Sequence, residues 1–143
     1  MPTETPSPPD IVRGSTDGAD CANCPFARDD APIHPVVGEG PASPLFIAIG
    51  EGPGRVEGQT GRPFVGPTGQ RLMQAFTETG ITRDQVYLSN ATLCQPHPAA
   101  TEKDKHAAAT ACRTRLEREL MGFPDRPVLL LGGVATKSLL STV

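Results

Sequence analysis

A chain of 143 residues with 37% apolar side chains, no Trp and a single Tyr has room for one small, mostly aliphatic core and little for a second domain. Its formal charge of −3 excludes a bulk polyanion-binding surface, because neutralising phosphates takes clustered Lys and Arg; any contact with nucleic acid has to be local. No apolar run approaches the roughly 18 residues that span a bilayer, and Met1–Asp10 lacks the basic start and apolar stretch of a secretory signal, so a cytoplasmic protein with no membrane association is expected.

In chain order, Met1–Asp20 is rich in Pro, Ser, Thr and Asp and reads as a disordered tail, leaving residues 21–143 as the folded domain. Cys21–Arg28 follows as a tight turn containing CxxC. Leu45–Ile49 is a short apolar run bounded by Pro44 and Gly50, as expected of a buried strand. Gly50–Gly69 then reads as one long Gly/Pro loop, and loops of that length in a compact domain are usually functional or disordered. Thr68–Thr79 places Leu72, Met73 and Phe76 on one face and stops at Gly80, which predicts a helix. Val86–Ser89 is a second strand. Thr101 and Asp104 make a capping-box pair for a helix with Ala108, Cys112, Leu116 and Leu120 on one stripe, ended by Gly122 and Pro124. Val128–Leu131 is a third strand, and a last helical stretch runs after Gly132-Gly133 to about Leu140.

Strands alternating with helices predict βαβ crossovers, and so a three-layer α/β/α fold around a central parallel sheet. Ligands of such sheets bind beyond the C-terminal ends of the strands. The Gly50–Gly54 loop, Asn90 and Gly132 all fall at such ends.

Two sets of residues carry chemistry. The first is the four cysteines: Cys21 and Cys24 in CxxC, and Cys94 and Cys112 well downstream. In a reducing compartment they are better metal ligands than disulfides, and four thiolates suit either zinc or an iron–sulfur cluster. Cys112 also lies on the apolar stripe of its helix, where a plain buried thiol is equally natural. The second is the Gly-rich segment after the first strand. It has neither the dinucleotide fingerprint nor a P-loop Lys-Ser/Thr, and Glu51 would repel a phosphate. A carboxylate at a strand tip suits acid–base work or stabilising a cation. Phe64, in the same loop, is placed either to stack on a ligand or to plug the sheet edge.

CxxCP at Cys21–Pro25, GEGPG at Gly50–Gly54, GRPFVGPTGQ at Gly61–Gln70, VYLSN at Val86–Asn90, then Cys94, Cys112 and LLLGGVAT at Leu129–Thr136 occur in one order. From Cys21 onward the chain resembles the family-4 uracil-DNA glycosylases. The resemblance implies a 4Fe-4S cluster, structural in role, on Cys21, Cys24, Cys94 and Cys112, with zinc as the alternative. It implies hydrolysis of the N-glycosidic bond of uracil in DNA, in base excision repair. Glu51 matches the catalytic carboxylate, Glu57 a second acid of the loop, Phe64 the stacking ring and Asn90 the amide that reads uracil. Gly50 and Gly52, with Gly54, would line the base, and Arg62 would contact DNA. The implied partners are uracil-containing DNA and replication or repair proteins, in a nucleoid-associated or phage-encoded setting.

The sequence also departs from that pattern. Val143 comes before the family's His-Pro-Ser loop, so an incomplete domain with impaired activity is expected, or an inactive cluster-bearing module that binds DNA or a replication protein. His34, His97 and His106 sit in other contexts and are expected to have no catalytic part.

Overall fold

The computed structural model describes residues 10–27 and 34–140. Five strands form one sheet, in the order β1-β2-β4-β3-β5. The strands are β1 (Ile11–Arg13), β2 (Glu39–Pro41), β3 (Phe46–Gly50), β4 (Val86–Asn90) and β5 (Val128–Leu130). β3 pairs in parallel with β4 and with β5, as expected for the centre of the sheet. β1 and β2 add an antiparallel edge that was not expected, with Glu39 opposite Leu88. The first nine residues of the expected tail lie outside the described residues. Ile11–Arg13, however, is strand, so the ordered domain begins before Cys21. Arg28, the expected end of the CxxC turn, and Val143 also lie outside the described residues.

Alternation along the strands sorts the core into two layers. Ile47, Ile49 and Tyr87 face one side, against Leu116 and Ala135. These come from α3 (Glu102–Met121) and α4 (Gly133–Leu140). Ala48, Val86 and Leu88 face the other side, against Phe76 of α2 (Pro67–Glu78). The result is the expected three-layer arrangement. Burying each Ile, Leu or Phe contributes about 1.5–3 kcal/mol, so these few aliphatic contacts hold the helices to the sheet.

The helix boundaries follow local chemistry. α2 starts with Pro67 in its first turn, where a missing N–H costs nothing. α3 opens with the reciprocal Thr101–Asp104 capping bonds. Gly50–Gly69 is not a single loop: Arg55–Thr60 forms α1, closed by Gly61 at φ 75°. A left-handed residue of this kind terminates a helix most cheaply as glycine.

Candidate active site

β3 and β4 end side by side, and their pairing runs on into the loops. Ala91 N–H donates to Gly50 O at 2.8 Å, and Thr92 N–H to Glu51 O at 3.0 Å. Two stretches far apart in sequence are thereby joined at the start of the GEGPG loop. Gly52 has no room for a Cβ because Thr92 Oγ1 occupies that space. The glycine there is explained by contact with the protein itself, although Gly52 also lines the cavity.

A cavity of about 880 Å³ opens at this end of the sheet, within the size range of small-molecule sites. Gly50, Glu51, Gly52, Glu57, Phe64 and Asn90 all line it. Every base-pocket residue expected from the sequence is therefore brought to one place. Arg55 and Arg71, both exposed, stand on the same wall.

Asn90 is the last residue of β4 and is buried on the α2 side of the sheet. Its side-chain oxygen and the Phe64 ring tip both lie 2.7 Å from the point where a Cβ on Gly50 would stand. Phe64 takes the sheet-edge placement and at the same time faces the cavity. Its ring packs on the sheet with Phe76 and Leu88, and it also forms part of the cavity wall. Its backbone has φ 55°, the one non-glycine positive value among the described residues.

The two acids differ. Glu51 is half exposed, and its Oε2 lies 3.9 Å from Lys105 Nζ of α3. Glu57 turns inward. Its Oε1 accepts from Gly54 N–H at 3.0 Å, and its Oε2 accepts from Val65 N–H at 3.0 Å and Gly66 N–H at 2.5 Å. Burial raises its pKa, but the backbone N–H bonds outweigh that and hold it below the ordinary 4.5. Glu57 thus pins the GEGPG loop to the GRPFVG loop. Arg62 is also engaged within the protein, paired through Nε with Glu39 Oε1 at 2.9 Å and through Nη2 with Oε2 at 3.2 Å.

Sequence reasoning missed Arg83 and Arg115. Arg83 donates to the carbonyls of Phe64 at 2.8 Å and Pro63 at 2.5 Å. Arg115, fully buried, donates to the carbonyls of Asn90 at 2.7 Å and Ala91 at 2.9 Å. A signal existed for Arg115 alone: it is the charge beside the apolar stripe of Cys112 and Leu116.

The four cysteines are free thiols in the structure. The CxxC turn is tied to α3 by a 2.9 Å bond from Asp20 N–H to Ala111 O, next to Cys112. Burial, and after it the nearby Cys112, Cys24 and Cys21, push the Cys94 thiol up to about 11. All four thiols are thus close enough to sense one another. Among the described residues, no group of three or more His, Cys, Asp or Glu is disposed to hold a single metal ion. None of the three histidines lines the cavity.

Fold and site together define an α/β protein with a cavity of about 880 Å³ at the C-terminal ends of its parallel strands. The model of the uracil DNA glycosylase superfamily matches residues 37–142, and the chain belongs to that superfamily. It is similar to the type-4 uracil-DNA glycosylase of Thermotoga maritima, with 39% identity over 115 residues, 80% of this chain and 58% of that protein. The type-4 uracil-DNA glycosylase of Pyrobaculum aerophilum is 32% identical over 78% of this chain and 59% of its own length. That of Archaeoglobus fulgidus is 31% identical over 90% and 61%. The chain thus spans about three fifths of the curated relatives it matches.

Proposed function

We propose that this protein excises uracil from DNA by hydrolysing the N-glycosidic bond. The observation that carries the reading is the meeting of Glu51, Phe64 and Asn90 on one cavity at the ends of β3 and β4. A base acted on in this way must leave the stack and enter a pocket, where it is stacked and read on its hydrogen-bonding edge. Phe64 stacks on the pyrimidine. The Asn90 amide accepts from uracil N3–H and donates to O4. Cytosine offers an acceptor at N3 and a donor at the 4-position, so it would leave two buried polar pairs mismatched.

As the bond between C1′ and N1 breaks, its electron pair leaves with uracil and positive charge builds on the sugar. The Glu51 carboxylate stabilises that cation and takes the proton of the water that adds to C1′. Glu57 acts at one remove. With both oxygens bonded to backbone N–H groups, it holds the two loops in register and activates no water. Arg62 is likewise a loop tie through Glu39.

Cys21, Cys24, Cys94 and Cys112 are the ligands proposed for a 4Fe-4S cluster. Zinc needs four ligands about 2.3 Å from one point, whereas a cluster spreads its thiolates over several irons. The order of CxxC, Cys94 and Cys112 among the other motifs is that of the cluster-bearing family the sequence resembles, and the Asp20–Ala111 bond brings the CxxC turn beside Cys112. When bound, the cluster cross-links the CxxC turn, the segment after β4 and α3; it takes part in no step of bond cleavage.

The test is incubation with uracil-containing single-stranded DNA, followed by alkaline cleavage at abasic sites. Wild type should give strand breaks, and Glu51→Gln should lower the rate by about 100-fold or more. DNA retained without base release by wild type would replace the enzyme reading with that of a binding module. An absorbance band near 400 nm in the purified protein, lost in Cys112→Ser, tests the cluster; zinc would give no such band.

A further inference from the structure

Phe64 holds a backbone conformation, φ 55°, that residues with a side chain seldom adopt. Such strain persists only where the surroundings over-determine it, and it concentrates at functional sites. Two neighbours impose it here. Gly69 of α2 packs so tightly on the Phe64 backbone that a Cβ there would collide with Phe64 Cα, C and O. Arg83 spans two successive carbonyls with one guanidinium, Nη1 to Phe64 O at 2.8 Å and Nη2 to Pro63 O at 2.5 Å.

Arg83 lies in the turn that leads into β4, three residues before Val86. It therefore fastens the loop carrying Phe64 to the strand carrying Asn90. Its side chain is only about a quarter exposed, and Glu39 Oε1, 3.7 Å from Nη2, partly offsets its charge. The same carboxylate takes Arg62, so Glu39 anchors both ends of the Arg62–Phe64 segment.

We propose that Arg83 is a positioning residue for the stacking ring: it fixes Phe64 at its angle to Asn90 and so sets the affinity of the pocket for an everted pyrimidine. This deepens the functional reading above and rests on it for the identity of the ligand. A planar fork gripping two carbonyls is not replaced by Lys, whose ammonium is a point charge. Stacking is present before and during bond cleavage, so its loss acts on substrate binding more than on the maximal rate.

The experiment uses Arg83→Lys and Arg83→Met, with aromatic ring resonances followed by NMR during titration with free uracil. Tyr87 and Phe123, whose rings meet at 4.7 Å on the opposite side of the sheet, serve as internal controls. Phe64 resonances should shift and broaden in both variants while those of Tyr87 and Phe123 stay in place. Uracil affinity should fall on the order of tenfold. The half-saturating DNA concentration for uracil release should rise in parallel, with the plateau rate little changed. If Arg83→Met fails to fold, Arg83→Lys carries the same readouts. Unchanged Phe64 resonances and uracil affinity in a folded variant, or equal disturbance of all three rings, would overturn the positioning role. Failure of wild type to bind or release uracil would instead sink the functional reading, whatever Phe64 does.

Discussion

The side-chain oxygen of Asn90 and the ring tip of Phe64 converge on Gly50, each 2.7 Å from where a Cβ on that residue would stand. The proposed base pocket is thus built on the absence of one methyl group. Gly50→Ala would push the ring and the amide apart while leaving the surface untouched. Misplacing reacting or binding groups by about an ångström costs on the order of 100-fold in rate. Single-turnover release of uracil should fall by about that much, because the amide is displaced as well as the ring. A variant that releases uracil at the wild-type rate would show that the base lies elsewhere.

Glu57 yields a pH prediction of definite sign. Its folded pKa is held below the ordinary 4.5, because backbone N–H bonds outweigh burial. A carboxylate of this kind contributes stability that is fully present above its unfolded pKa and is lost as pH falls through the folded value. Gln retains a single acceptor oxygen and cannot ionise. Losing one such bond at a partly solvated site costs about 1 kcal/mol, or roughly 2–4 °C in a domain of this size. Glu57→Gln should therefore melt lower than wild type at pH 7. The difference should shrink as pH drops below about 4.5, until the two melting curves converge. Parallel curves down to low pH, measured by thermal denaturation, would count against the loop tie.

How far the sequence foretold this arrangement depended on whether the cause was local. β3, β4, α2 and α3 were legible because apolar spacing, the Thr101–Asp104 cap and Pro67 or Gly80 at helix ends act within a few residues. α1 was hidden by its flanking glycines and by RVEGQT, which has no apolar stripe. β2, with the sequence Glu39-Gly40-Pro41, is strand only because β4 lies beside it. Gly40 allows that approach, since a Cβ there would meet the Tyr87 backbone. At the site, Glu51, Phe64 and Asn90 were legible from motifs. Arg83 was not, because it grips backbone carbonyls, and carbonyls leave no trace in residue identity; Arg115 grips carbonyls too, and only its place beside the apolar stripe of α3 hinted at it. The Arg62–Glu39 pair was hidden because 23 residues separate its partners.

Arg55 and Arg71 line the cavity and make no ion pair among the described residues. They are therefore available to phosphates flanking an everted nucleotide, the local contact that the proposed reaction requires of an acidic chain. Each phosphate contact to a single strand contributes about 0.7 to the slope of log affinity against log salt. Arg55→Gln and Arg71→Gln should each reduce that slope by about this amount, weakening binding of uracil-containing and uracil-free strands alike. An unchanged slope in equilibrium titrations from low to moderate salt would place the phosphates elsewhere.

Arg115 and Glu119 form an ion pair 2.7 Å apart in which both side chains are almost wholly buried. Glu119 also accepts from the hydroxyls of Tyr87 at 2.5 Å and Ser89 at 2.8 Å. Arg115 completes the arrangement by donating to the carbonyls of Asn90 and Ala91. The pair thus secures the end of β4 from the side of the sheet opposite the cavity. Removing one partner of a buried pair strands the other charge and costs about 3–5 kcal/mol. Arg115→Met should lose stability of that order in urea denaturation. Adding Glu119→Gln removes the stranded charge, so the double variant should be more stable than Arg115→Met alone, although two carbonyls remain without their donor. Their loss leaves the β4 end loose, so the double variant should still discriminate poorly between uracil and cytosine. If Arg115→Met melted within about 1 kcal/mol of wild type, water would have to reach this network, and the pair could not be what fixes Asn90.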